Sequence, residues 1–128
     1  MIGCLNHIAI VVPDLEEAAL KYKQTLGAEV SEQQELIEHG VTLVFVQLAN
    51  TKIELLHPLG ANSPISSFLK RNPAGGIHHV CYEVDDISEA ANFLQEKGAK
   101  ILGDGKPKIG RTGSPFYFYI QKNFLELL

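Results

Sequence analysis

His7 and His79 open two strand-like stretches that read alike at a shift of 72 residues. His7-Ile8-Ala9-Ile10-Val11-Val12-Pro13-Asp14-Leu15 lies over His79-Val80-Cys81-Tyr82-Glu83-Val84-Asp85-Asp86-Ile87. The same shift lays Ile53-Glu54-Leu55-Leu56 over Leu125-Glu126-Leu127-Leu128. Glu54 and Glu126 therefore each interrupt a run of aliphatic side chains, where a carboxylate is costly unless something pairs it. Two imidazoles and two carboxylates converging on one cleft make a shell for a divalent first-row ion, completed by water or substrate oxygens. A single His at a strand start is more often a satisfied structural residue, and a single Glu on a short strand usually faces solvent. Repetition at matching places demands both coincidences twice. His7, Glu54 and His79 are therefore read as metal ligands, with Glu126, the repeat partner of Glu54, as a fourth.

The other candidates carry less. His78 neighbours His79 and, by the alternation of a strand, should point to the opposite face. His57 and His39 have no repeat partner and read as surface or loop residues. Lys106, Lys108 and Arg111-Thr112-Gly113 form a basic, glycine-containing loop of a kind that could meet phosphates but is usually just exposed.

The elements that must position these residues are also written twice. A mostly apolar strand (about 5–12, and about 77–84) ends at an aspartate able to cap a helix. Asp14 with Glu17, and Asp86 with Glu89, have capping-box spacing. Leu15, Ala18, Ala19, Tyr22 and Leu26 recur at helical spacing, as do Ile87, Ala90, Ala91 and Leu94. Gly27 and Gly98 stand where a left-handed residue closes a helix. Short strands are expected near Glu29-Val30 and near Lys100-Ile101-Leu102. Strands at Val41–Leu48 and Lys52–His57, joined by Ala49-Asn50-Thr51, complete the first copy; Pro115–Ile120 and Phe124–Leu128 complete the second.

The fold expected is α+β: two tandem βαβββ modules forming a curved mixed sheet, a half-barrel around a metal cleft. Module 1 covers about 4–60 and module 2 about 76–128. Ser63-Pro64-Ile65 opens a connecting helix over about 63–72, and Asn72-Pro73-Ala74-Gly75-Gly76 breaks it. Neither half buries a good core alone, so a single domain over 1–128 is expected.

Composition narrows the function. Hydrophobic residues at 45% and charged ones at 20% describe a packed globular chain. A net charge of −4 argues against nucleic acid as the main partner. No apolar run approaches the roughly 20 residues of a membrane span. Cys4 and Cys81 are too few for a disulfide framework, and no targeting segment is visible at the start, so a cytoplasmic protein is expected.

With these residues in place, the doubled unit carrying His on each first strand resembles the vicinal-oxygen-chelate superfamily, which includes glyoxalase I and extradiol dioxygenases. Finer text is similar to the methylmalonyl-CoA epimerase family within it. The matching segments are Leu5-Asn6-His7-Ile8-Ala9-Ile10, Glu38-His39-Gly40-Val41, Asn50-Thr51-Lys52-Ile53-Glu54-Leu55-Leu56-His57-Pro58, Ser63-Pro64-Ile65, and Gly75-Gly76-Ile77-His78-His79-Val80. The resemblance implies epimerisation of (2R)- and (2S)-methylmalonyl-CoA by loss and return of the C2 proton through a metal-stabilised enolate. It implies a divalent ion (Co2+ first, then Zn2+, Mn2+ or Ni2+), an acyl-CoA partner and a homodimer. It also implies a glutamate base, for which Glu126 is the candidate.

Two departures from the family pattern stand out. The strand Val41–Leu48 carries no carboxylate, the nearest being Glu38, so a second base is not assigned. After Gly110 the text changes to Arg111-Thr112-Gly113-Ser114-Pro115 and onward, where the family continues Ala-His-Gly-Lys-Pro. Codons for Tyr119-Ile120-Gln121-Lys122 in the neighbouring frame can encode the family's Leu-His-Pro-Lys. Either Glu126 is the partner of Glu54 after a shortened turn, or the chain from about Arg111 is out of frame. The alternatives in function are a glyoxalase I-like lyase and a non-catalytic or decayed member.

Overall fold

The computed structural model describes residues 2–101 and the backbone of 117–121. The chain divides into two compact units, one of His7–His79 and one of Met1–Asn6 with Val80–Leu128. Strand β1 (Ile2–Val11) leads into helix α1 (Leu15–Thr25), then β2 (Glu29–Val30), β3 (Gln34–Leu36), a single 3-10 turn (Ile37–His39), β4 (Val41–Gln47) and β5 (Lys52–Pro58). Helix α2 (Ser66–Arg71), β6 (Gly76–Val84), helix α3 (Ile87–Glu96) and β7 (Tyr117–Gln121) follow. Helices and a mixed sheet in this order make the fold α+β, as the sequence patterning indicates.

The helix starts follow from their caps. Asp14 Oδ1 accepts the Glu17 backbone N–H at 2.8 Å, and Asp86 Oδ1 accepts that of Glu89 at 2.8 Å. Each bond satisfies a helix N–H that has no partner within the helix. Glu17 turns to Lys21 one helical turn on, at 2.6 Å, and that carboxylate raises the Lys21 ammonium above its ordinary value.

In the unit of His7–His79 the strand order is β2-β4-β5-β1-β6, with β3 pairing β4. β1 runs parallel to β5, with Ala9 opposite Glu54, and β4 runs antiparallel to β5, with Phe45 opposite Glu54. Alternation then sorts the side chains. Leu15, Val44, Val46 and Leu55 pack with Ile10, Val12 and Tyr22 on the face that α1 covers. Ala9, Val11, Val41, Leu43, Leu56 and Ile65 form the opposite face, with Phe45 and Phe68 against them. Each fully buried Leu or Val there contributes about 1.5–3 kcal/mol. The β1 residues of odd number and the β5 residues of even number belong to this second face, so His7 and Glu54 share it.

In the other unit β6 lies between β1 and β7. Cys81, Val84, Ala90 and Leu94 are buried, and Asn6 Nδ2 donates to Glu83 Oε1 at 3.0 Å. Cys4, exposed, and Cys81, buried, form no disulfide. Among the described residues no helix is long and apolar enough to cross a membrane.

Three local expectations need correction. β3 and the 3-10 turn were not anticipated, because Gln34-Glu35-Leu36 is an edge strand with no apolar alternation to mark it. Lys100 and Ile101 form no strand. His57 is neither loop nor surface: it is half-buried on β5, its Nδ1 at 3.0 Å from the Val12 carbonyl oxygen. The expected strand at Phe124–Leu128 lies outside the described residues.

The break before β6 depends on one glycine. Gly75 has φ +80, and a Cβ there would stand 2.3 Å from the Val11 carbonyl oxygen. Gly75→Ala is therefore expected to cost at least about 2 kcal/mol, since unfavourable φ adds to a clash with backbone. Gly27→Ala, with φ +63 but nothing within 4 Å, should cost only about 1 kcal/mol. Urea unfolding midpoints of the two variants measure the difference; equal midpoints would show that β6 is free to move away.

Candidate metal centre

His7 enters the site because it begins the inward face of β1 one pair before Ala9 and Val11. Its partner Glu54 is set on β5 between the apolar pairs Ile53 and Leu55. Both are buried, at 7% and 8% exposure, a depth at which ionisable side chains need partners. His79, half-buried, comes from β6, the next strand beyond β1. His7 Nε2 lies 3.3 Å from Glu54 Oε2 and 3.4 Å from His79 Nε2. One ligand atom from each of the three lies within 4.8 Å of the others.

These separations suit an ion. Two ligands each about 2.1 Å from a common metal stand roughly 3.0 Å apart at a right angle and about 3.4 Å apart in a tetrahedron. Two imidazole nitrogens and a carboxylate oxygen are also the donor types that first-row divalent ions take. Three protein donors leave coordination positions for other oxygens, as catalytic rather than structural sites do. The donor set fits a divalent metal.

Electrostatics keep one donor ready. Burial holds the His79 pKa down to about 4; charge on His78 and His7 adds to the depression and Glu54 opposes it. Burial lowers His78 as well, again against Glu54. His79 is thus neutral at neutral pH, the form in which an imidazole ligates. Lys52, two residues before Glu54 on the same strand, holds its ammonium 5.2 Å from the centre of the Phe45 ring.

A pH effect follows. In the unfolded chain His79 takes up its proton near 6.5, whereas the folded protein resists until about 4. Between those values the unfolded state binds more protons, so stability is complete above about 6.5 and falls as pH drops toward 4. The contribution approaches about 3 kcal/mol. Urea denaturation of the ion-free protein across this range should show it, and His79→Gln should flatten the slope; an unchanged slope would contradict it.

Sequence and structure differ most at His78. Alternation was expected to send it to the opposite face, yet its Nδ1 lies 2.8 Å from His79 Nδ1 and its ring packs edge-on against Phe68, 5.2 Å between centroids. Strand alternation fixes where Cβ departs, not where the tip of a long ring ends. The His78-His79 doublet was the signal available in the text. Glu38 is exposed in the 3-10 turn, and His39 beside it is exposed as expected. Glu126, Lys106, Lys108 and Arg111 lie outside the described residues.

The chain is similar to known proteins along most of its length. Residues 6–118 match the model of the glyoxalase/bleomycin resistance protein/dioxygenase superfamily. The chain is 61% identical over 124 residues to the ethylmalonyl-CoA/methylmalonyl-CoA epimerase of Cereibacter sphaeroides, covering 97% of this chain and 92% of that protein. It is 55% identical over 127 residues to the mitochondrial methylmalonyl-CoA epimerase of Dictyostelium discoideum, covering 99% of this chain and 76% of that one. A variant of the Streptomyces coelicolor methylmalonyl-CoA epimerase, solved with 2-nitronate-propionyl-CoA, superposes with a TM-score of 0.77 at 27% identity. That likeness covers 88% of this chain and 81% of the other.

Proposed function

The chain belongs to the methylmalonyl-CoA epimerases of the glyoxalase/bleomycin resistance protein/dioxygenase superfamily, and from that membership we propose that it interconverts (2R)- and (2S)-methylmalonyl-CoA. The observation that carries the reading is the convergence of His7, Glu54 and His79 within 4.8 Å. These three would hold a divalent ion, with cobalt proposed ahead of zinc, manganese and nickel. Bound there, the ion would supply Lewis-acid polarisation of the substrate's carboxylate and thioester oxygens.

His7 and His79 would present imidazole nitrogens, and a Glu54 carboxylate would bring the negative charge that makes a divalent cation welcome in an apolar setting. Glu126 is proposed as the base that takes the C2 proton. That hydrogen lies between two carbonyl groups, so its loss leaves a planar enolate, and a proton returned to the other face inverts the centre. A homodimer and a cytoplasmic setting complete the proposal. The glyoxalase-like lyase is not favoured, since identities of 55–61% are to epimerases.

The test is exchange of the C2 hydrogen with solvent deuterium, followed by NMR on methylmalonyl-CoA. Exchange is expected with cobalt-loaded protein and is expected to stop on chelation and resume on adding Co2+. Loaded protein that leaves C2 protonated would overturn the reading.

A further inference from the structure

The contact between His78 and His79 has a chemical consequence. A neutral imidazole has one N–H and one bare nitrogen, so two Nδ1 atoms 2.8 Å apart need one of them protonated. If His78 donated, the His79 proton would sit on Nε2, the atom 3.4 Å from His7 Nε2, and that nitrogen could not ligate. If His79 donates, Nε2 is left bare on the side of His7 and Glu54.

We propose that His78 is a positioning residue, whose bare Nδ1 accepts the His79 Nδ1–H and so fixes the tautomer that offers Nε2 to the ion. Metal-bound imidazoles ordinarily donate their second N–H to a carboxylate, a backbone carbonyl or water, which sets ring orientation and basicity. Here another imidazole does so. Phe68, projecting from α2, meets the His78 ring edge-on at 80° between planes and limits its rotation. Helix α2 supplies the ring that meets His78, and Gly75 lets the chain pass close to Val11 just before it. It rests on the reading of His7, Glu54 and His79 as an ion site.

Long-range 1H–15N NMR of the ion-free wild-type protein reports the His79 tautomer without any metal. The expected result is His79 protonated on Nδ1 and His78 on Nε2. Cobalt affinity, measured by competition with a chelating dye, should fall about 10–100-fold in His78→Phe. It should recover in His78→Asn, whose Oδ1 occupies nearly the place of the lost Nδ1 acceptor. A structural role alone would not give this rescue at matched unfolding midpoints. Nε2 protonation of His79 in the wild type, or full cobalt affinity in His78→Phe, would overturn the proposal. Failure of the wild type to bind cobalt is a separate result and would retire the ion site itself.

Discussion

Replacing His7 with alanine is expected to lower kcat/KM for epimerisation by at least about a thousandfold. Lewis-acid stabilisation of developing enolate charge is worth several kcal/mol, and about 4 kcal/mol corresponds to a factor near 10³. His79→Ala should do the same, because both imidazoles meet at the same point, Nε2 to Nε2 at 3.4 Å. His7→Ala should also destabilise the ion-free fold by about 1–3 kcal/mol, since Glu54 would keep its burial and lose the imidazole 3.3 Å away. Steady-state kinetics with Co2+, beside urea unfolding, separates the effects. Near-wild-type turnover in either variant would rule out these imidazoles as ligands.

Glu54→Leu is expected to split function from stability. A leucine there would face Phe45 and Ala9, the cross-strand neighbours of Glu54, and would extend the apolar face of Leu43, Val11 and Leu56. Breaking the pair from this side leaves no buried carboxylate to desolvate, and the His7 imidazole keeps His79 Nε2 3.4 Å away as a partner. The ion-free variant should therefore unfold at a urea concentration no lower than wild type, while cobalt affinity and activity fall as steeply as in the histidine variants. A destabilised but active Glu54→Leu would make Glu54 a structural partner of His7 and nothing more.

The duplication made much of this legible. The repeat of His7 at His79 placed two imidazoles on matching strands, and the isolated charge of Glu54 in Ile53-Glu54-Leu55-Leu56 marked it as unlike its neighbours. Aspartate caps at Asp14 and Asp86 are local hydrogen-bond chemistry, so text suffices to find them. What the text could not give depends on chain separated in sequence. β3 exists because β4 offers it an edge, with Gln34 opposite Leu43, and nothing within Gln34-Glu35-Leu36 announces that. His57 reads as an unpaired histidine until β1 brings the Val12 carbonyl to it across 45 residues. His78 escapes the text for a related reason: strand alternation describes the backbone, whereas its ring meets Phe68 of a preceding helix and His79 beside it.

The most direct test is an anomalous-scattering map of crystals grown with Co2+. A single cobalt peak is expected at about 2.0–2.2 Å from His7 Nε2, His79 Nε2 and a Glu54 carboxylate oxygen. A map with no cobalt at these three side chains, from crystals of protein that epimerises methylmalonyl-CoA, would contradict it.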